Sequence, residues 1–564
     1  MNKLLVCLFA ALAGASATMP ALGQDAVAAP ARVVIAPPQS ALGQTIKDGL
    51  SAAYYGASKG TAAYAEAQKL YFFYGERHFE PIWLDEAASG SIAFSASAQK
   101  ILKLFEQAGT EGLRPTDYLT PNLDVAGAQG DPLKMAALET AFSAAAMRYA
   151  SNIYTGRIKP TSVSENLDIQ QKPIDQSALM MQLAASDDPV AVLKALEPTH
   201  PEFLALKAAL ATFDSGSVEQ PITIPAGPTL KPGMSDERVP LLRERFELTP
   251  VADTLYDDAL IEAIKTFQGS LGLTTDGIMG PATVAGLNSG RAVTREDILA
   301  NMERWRWMPR ELGAFHVLVN LPEYRLAIYR DGKEEYTTRV VIGSTAHPTP
   351  IFSNSIRHIV VNPYWNVPAS IIRNEIAPKT RANPGYIAGQ NMDLLYNGNV
   401  VSASAIDWWA VGDSFPFRVR QRPGAGNALG HIKFLFPNKH DVYLHDTPSK
   451  SLFSRDYRAY SHGCVRVQNP MEFADALLAN ETTISRASLE ALFGTREQWV
   501  NPDHQIPVHL TYFTLRVEPD GTIRSFGDVY GHNAKLIEAM GLNEVPAAAV
   551  TPPAGPVEDG ALSP

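Results

Sequence analysis

The sequence is poor in cysteine: Cys7 and Cys464 are the only two in 564 residues. Cys7 lies in an N-terminal apolar run that reads as a removable segment, which excludes an internal disulfide framework and leaves Cys464 as a free thiol. One thiol cannot build a thiolate zinc cage, and no His-Glu-x-x-His motif occurs, so no metal or cofactor is expected. Positive charge is not in excess either. The formal net charge is −11 with no basic stripe, which argues against nucleic acid as a partner. No apolar run approaches the roughly 20 residues of a membrane span. What remains is a chain with 46% hydrophobic and 9% aromatic residues, an ordinary folding composition and a length suited to about three or four domains.

Residues 1–24 read as an export signal: Lys3, the apolar stretch from Leu4 to Ala13, then small residues around Ala15 to Ala17 or Ala21 to Gly23. An Ala/Pro/Val-rich tether follows over 25–40. Over 41–213 the pattern is helical, with Ile101, Leu104, Phe105 and Ala108 on one face and a long helix expected from Pro132 to Asn152. A linker over 214–232 leads into a small unit at 229–289. There Asp236 is placed to cap a helix burying Leu241, Leu242 and Phe246, and Leu260, Ile264, Phe267 and Leu271 form a second stripe. A unit of that size is near the lower limit for independent folding. A connecting helix is expected within 291–311.

From 312 to 515 the apolar period changes to two. Phe315, Val317 and Val319 alternate, and Asp331-Gly332 is the turn pair of a tight hairpin. An insertion at 362–426 is too long for a structureless loop. It carries Trp365, Trp408 and Trp409, a helix expected from Ala369 to Ala377, and Pro363, Pro368 and Pro378 as breaks. Arg418, Arg420 and Arg422 are candidates to meet carboxylates at its rim. A C-terminal extension (516–544) and an Ala/Pro-rich tail expected to be disordered (545–564) complete the chain.

Cysteine attacks as the thiolate, so a catalytic Cys464 needs a base or cation beside it. His462 stands two residues before it. His445 ends the alternating run Val442-Tyr443-Leu444, which puts Tyr443 and His445 on one strand face and Leu444 on the other. The helix expected to start at Asn469-Pro470 begins too far downstream for its dipole to act on the thiol, which favours a histidine partner.

Ser461-His462-Gly463-Cys464-Val465-Arg466 with His445 upstream resembles the signature of the L,D-transpeptidase catalytic domain, also called the YkuD domain. The resemblance implies Cys464 as nucleophile, His445 as general base, and the N–H groups of Gly463 and Cys464 as oxyanion donors. It implies an orienting or polarising role for His462 and a substrate carboxylate on Arg466. Ser461 is a further candidate to contact substrate, and Trp365, Trp408 and Trp409 offer apolar area for a stem peptide or glycan. In some relatives the residue at the place of Asp446 orients the base through its backbone carbonyl. Arg77, Pro81-Ile82-Trp83, Gly112 to Tyr118 and Gly156-Arg157 resemble the scaffold domain of the larger, YcbB-like members, whose catalytic domains also carry a lid. Arg238 to Arg243, Tyr256-Asp257, Asp276-Gly277-Ile278 and Gly280-Pro281 resemble the three-helix peptidoglycan-binding module.

The expected fold is therefore α+β and multidomain: a helical scaffold, a three-helix peptidoglycan-binding module, and a mainly β catalytic domain with a helical lid insertion. The function the resemblance implies is L,D-transpeptidation, forming 3→3 cross-links through a cysteine acyl-enzyme on tetrapeptide donor stems. The alternatives are an L,D-carboxypeptidase of the same fold and, in another class, a non-catalytic wall-binding scaffold. Expected partners are peptidoglycan stem peptides and glycan, with covalent inhibition by carbapenem-type β-lactams. The expected place is the periplasm of a Gram-negative-type cell, at the wall.

Overall fold

The computed structural model describes residues 35–215, 222, 224–225, 227–250, 253–270, 274–280, 283–284, 286–287, 293–408, 410–411 and 416–542. The expected export signal, the C-terminal tail, Leu271 and Trp409 lie outside the described residues. By compactness the chain divides at Pro81 and Ile82.

The first unit is a pair of helices, Ala41–Gly56 and Ala62–Gly75, started by Ser40 and Thr61, whose side chains accept from the N–H groups of Gly43 and Tyr64. Such caps satisfy donors that the first turn leaves free. Tyr54 stacks on Tyr71 at 5.4 Å between ring centres and ties one helix to the other.

The second unit begins with helices around one long element, Pro132–Thr155, capped by Asp131. Trp83 is fully buried against Phe142 and donates from Nε1 to Ser143 Oγ at 2.7 Å. The aromatic stripe of this region is core. Gly156, at φ 88°, ends the long helix where a Cβ would lie 2.6 Å from Glu303 and 2.8 Å from Trp307, so the chain can turn there only without a side chain.

The small module packs Val239, Leu242, Tyr256, Leu260 and Ile264 into its own core. Its first helix is Val239–Arg245, and Asp236 accepts from the N–H of Arg238 while pairing with the guanidinium. Leu241 and Phe246, expected inside, are only partly buried. The connecting helix, Arg295–Trp307, opens with a capping box of Thr294 and Asp297 and is buried from Asp297 to its end. It is a central strut rather than a surface linker. Asn301 ties it to Thr514, and Glu303 accepts from the N–H of Ile158.

The C-terminal domain is built on one curled sheet. Its strands run in the order Gln498–Val500, His358–Val361, Ile432–Leu435, Leu444–His445, Val465–Val467, Lys333–Gly343, Arg325–Arg330, Phe315–Asn320, Ile506–Thr511 and Phe352–Ile356, with Ala459–Ser461 also on Lys333–Gly343. The hairpin turn falls at Asp331-Gly332, both at positive φ as a type I′ turn requires. Leu444 and Val465 are registered neighbours on parallel strands and both are fully buried in the main core.

The insertion departs from a helical lid. Asn399–Val401, Met392–Tyr396, Arg418–Gln421 and Trp365–Asn366 form a four-stranded antiparallel sheet over a separate apolar core. Its helical run goes from Ala369 through a π turn at Ile372–Ile376 to Ala382, so Pro378 does not break it. Proline cannot donate to the preceding turn, and the wider π turn takes up the misfit.

Candidate active site

The site sits where the strands Ile432–Leu435, Leu444–His445 and Val465–Val467 lie side by side. Register pairs Lys433 with His445 and His445 with Arg466. Paired residues share a sheet face, so these three basic side chains form a row across it, with Tyr443 and Cys464 two residues before His445 and Arg466. All three are buried, His445 completely.

His445 Nδ1 donates to the backbone carbonyl of Asp446, which leaves Nε2 as the lone-pair nitrogen. Among the described residues Nε2 has no hydrogen-bond partner. Burial and then the Arg466 charge push the ring's pKa down to about 3, against the opposing hydrogen bond to the Asp446 carbonyl. The imidazole is a neutral base. The Asp446 side chain does something else: it accepts from the N–H of His431 at 2.9 Å and from Lys450 at 2.7 Å. It fits because residue 430 is glycine at φ 61°, where a Cβ would sit 2.2 Å from the carboxylate.

Cys464 is a buried free thiol, and its Sγ donates weakly to the Asp441 carbonyl at 3.8 Å. Burial raises its pKa to about 11, opposed by hydrogen bonding from Tyr443 and then by the charges of Arg466 and Lys433. At rest the pair is a thiol and a neutral imidazole.

The loop carrying the thiol is clamped from inside. Ser461 Oγ accepts from the Gly463 N–H at 3.2 Å and donates to the Cys464 carbonyl. Thr349 Oγ1 donates to the Gly463 carbonyl at 2.8 Å and accepts from the Gly343 N–H at 2.8 Å. Gly463 itself is at φ 112°, a left-handed value that favours glycine. In this state the Gly463 N–H is engaged by Ser461, so it is not free for an oxyanion.

The remaining predicted residues are dispersed. Ser461 is fully buried with its hydroxyl committed within the loop. Trp365 and Trp408 were expected to offer apolar area to a ligand, and this is corrected: Trp365 is fully buried in the insertion's core, and Trp408 joins it with Nε1 donating to Ala403. Arg420 and Arg422, expected at a rim, both pair with Asp393 at 2.9 and 2.5 Å. His462 points toward the insertion, with Nε2 3.2 Å from Glu375 and its ring 4.4 Å from that of His347.

Lys433, Glu375 and Thr349 were not singled out from the sequence, and Tyr443 was read only as sharing a strand face with His445. Only Lys433 left a signal, a lone cation inside the apolar run from Ile432 to Phe436. Among the described residues no cluster of three or more His, Cys, Asp or Glu converges on a metal-sized position.

Residues 314–485 match the family model for the L,D-transpeptidase catalytic domain. The chain carries that domain. The transpeptidase match holds the whole row of Lys433, His445 and Arg466 as well as Cys464. Residues 68–210 match the scaffold domain, and 242–287 match the "Putative peptidoglycan binding domain". A curated protein of Haemophilus influenzae named "Putative L,D-transpeptidase" is 38% identical over 246 residues, 43% of this chain and 49% of that protein. The chain thus spans about half the length of this curated relative. Among solved structures, an L,D-transpeptidase from Xylanimonas cellulosilytica is 17% identical with a TM-score of 0.16, over 51% of this chain and 99% of that one. An LD transpeptidase in complex with imipenem is 13% identical with a TM-score of 0.15, over 35% of this chain and 59% of that one. Likeness at those scores bears on neither fold nor function.

Proposed function

We propose that the protein is an exported L,D-transpeptidase that forms 3→3 cross-links in peptidoglycan. Cys464 gives its proton to His445 Nε2 and its sulfur attacks the carbonyl between an L- and a D-configured stem residue. The terminal D-alanine leaves with that proton on its amine, and a thioester remains. A side-chain amine of a neighbouring diaminopimelate then resolves the thioester, and the thiol is restored. The observation that carries this is the buried, neutral His445, oriented by the Asp446 carbonyl with Nε2 open, on the strand beside the one that follows the only free thiol among the described residues. Cysteine catalysis divides one hard amide exchange into two easier steps.

The Cys464 N–H, which has no hydrogen bond among the described residues, is the oxyanion donor in this reading. Arg466, beside His445 in the row, contributes positive charge that draws the donor's carboxylate and favours the thiolate. The small module holds the enzyme on the wall. The place of action is the periplasm, and no helix among the described residues is long and apolar enough to cross a membrane.

The test is mass spectrometry of purified tetrapeptide muropeptides incubated with the protein. A dimer lacking one D-alanine is the expected product. Tripeptide monomer alone would make the enzyme an L,D-carboxypeptidase, and unchanged muropeptides would leave it a wall-binding scaffold.

A further inference from the structure

The N–H of Cys464 shares one planar trans peptide with the carbonyl of Gly463, so the two point in opposite directions. Whatever holds that carbonyl therefore aims that N–H. Thr349 Oγ1 holds it, donating at 2.8 Å. Thr349 is fully buried, and a hydroxyl has one proton to give. Its oxygen accepts from the Gly343 N–H at 2.8 Å, which leaves the proton for Gly463. The chain from Gly343 to Thr349 folds back so closely that a Cβ on Gly343 would lie 2.2 Å from the His347 carbonyl oxygen and 2.7 Å from the Thr349 nitrogen. Only glycine permits that approach. The Tyr530 hydroxyl closes the turn across its mouth, donating to the Gly343 carbonyl at 2.7 Å and accepting from the Thr349 N–H at 3.1 Å. Tyr530 comes from the C-terminal extension, beyond the sheet strand Ile506–Thr511, and it is itself fixed. Its N–H donates to Tyr512 Oη at 2.8 Å, and Tyr512 Oη donates to Asp528 at 2.6 Å. Asp528 also accepts from the N–H groups of Asn533 and Ala534 in the helix His532–Ala539, whose Leu536 is fully buried in the main core. Asp528, Tyr512, Tyr530, Thr349 and Gly463 thus form one run of contacts that ends on the peptide carrying the Cys464 N–H.

An amide whose carbonyl accepts a hydrogen bond donates more strongly through its N–H, and a donor already in place needs no reorganisation when charge develops on a substrate oxygen. We infer that Thr349 is a positioning residue for the oxyanion, aiming and strengthening the Cys464 N–H through the Gly463 carbonyl, and that Tyr530 holds Thr349 in place to do so. The inference rests on the reading of Cys464 as nucleophile, with its N–H as oxyanion donor, in the proposed function. Neither hydroxyl bonds to the substrate, and neither gives up its proton. A tyrosine from outside the sheet thereby helps to set the rate of acylation.

The test compares two reactions of the same thiol in the full chain. In acylation by a chromogenic β-lactam, the sulfur bonds to the lactam carbonyl carbon and negative charge collects on the carbonyl oxygen. The C–N bond then breaks, and the thiol's proton ends on the nitrogen. In alkylation by iodoacetamide the sulfur displaces iodide from a saturated carbon, the proton goes to solvent, and no oxyanion forms. Thr349→Val keeps the branched shape and removes the hydroxyl. It should slow acylation at saturation about tenfold, less than the roughly 10²–10³ lost when an oxyanion donor is removed outright. The half-saturating concentration should not change, and alkylation should stay within about twofold of wild type, as expected when only the transition state loses support. Thr349→Ser should restore acylation. Tyr530→Phe should slow acylation about threefold, and adding it to Thr349→Val should slow it little further, because the tyrosine acts through the threonine. Wild-type acylation by Thr349→Val would overturn the inference. So would acylation and alkylation slowed by the same factor, since the loss would then belong to the thiol. If thermal melting shows that Thr349→Val does not fold, Tyr530→Phe decides: acylation at the wild-type rate overturns the inference. A wild-type protein that the β-lactam acylates with these variant effects, but that leaves muropeptides unchanged, would refute the proposed cross-linking and leave this inference standing.

Discussion

His445 takes its orientation from the backbone of its own neighbour: Nδ1 donates to the carbonyl of Asp446, while the Asp446 carboxylate turns away to His431 and Lys450. A base held by a main-chain oxygen keeps its tautomer whatever side chain follows it. Asp446→Asn should therefore lower the acylation rate by less than about tenfold, where a carboxylate-oriented histidine loses about 10⁴ on the same change. Stopped-flow acylation by a chromogenic β-lactam measures this. A loss of the larger size would show that the carboxylate, not the carbonyl, sets the base.

Acylation should be confined to one residue. A carbapenem-type β-lactam is expected to add one inhibitor mass to the wild type and none to Cys464→Ala, because Cys464 is the only free cysteine among the described residues. An adduct of equal mass on the alanine variant would place the reactive group elsewhere.

Ser461 tests the clamp. Ser461→Ala removes the partner of both the Gly463 N–H and the Cys464 carbonyl, and each buried group left unpaired costs about 1–3 kcal/mol. Stability by urea titration should fall within about that range for one or two groups, with a further loss in acylation as the thiol loop loosens. Unchanged stability would mean that water replaces the hydroxyl.

The insertion meets the catalytic loop through Glu375, on the π turn, and His462. If the insertion closes as a lid on acylation, hydrogen exchange should slow in residues 365–408 once Cys464 is acylated, and Glu375→Gln should weaken that protection. Exchange that does not respond to acylation would make the insertion a fixed wall of the site.

Four buried histidines set the acid limit of the fold. Burial holds His200, His509 and His532 at about 4 and His445 at about 3, against roughly 6.5 in an unfolded chain. Between these values the unfolded state binds more protons than the folded one, so stability falls as pH drops through the window and is fully present above it. Each unit of difference is worth about 1.4 kcal/mol per group. Thermal melting should show a declining midpoint from about pH 6.5 toward about pH 4, and a flat profile there would contradict the buried neutral assignment.

The sequence by itself determined the elements whose signals are local. Asp331-Gly332 makes a hairpin because both residues accept positive φ. The alternation through Val442, Tyr443 and Leu444 decided which way His445 faces, and the six residues ending at Arg466 marked the thiol. Helix stripes at Leu104 and Phe142 were legible for the same reason: period and face are properties of neighbouring residues.

What depends on contacts between distant residues was decided only by the tertiary structure. Tryptophans look alike in sequence whether they line a groove or fill a core, and Trp365 and Trp408 proved to be core because a four-stranded sheet closes over them. Asp393 meets Arg420 and Arg422 only once two strands pair. Lys433, His445 and Arg466 lie on three separate strands, and sheet register alone brings them into one row, because pairing between strands depends on the whole sheet rather than on any local spacing.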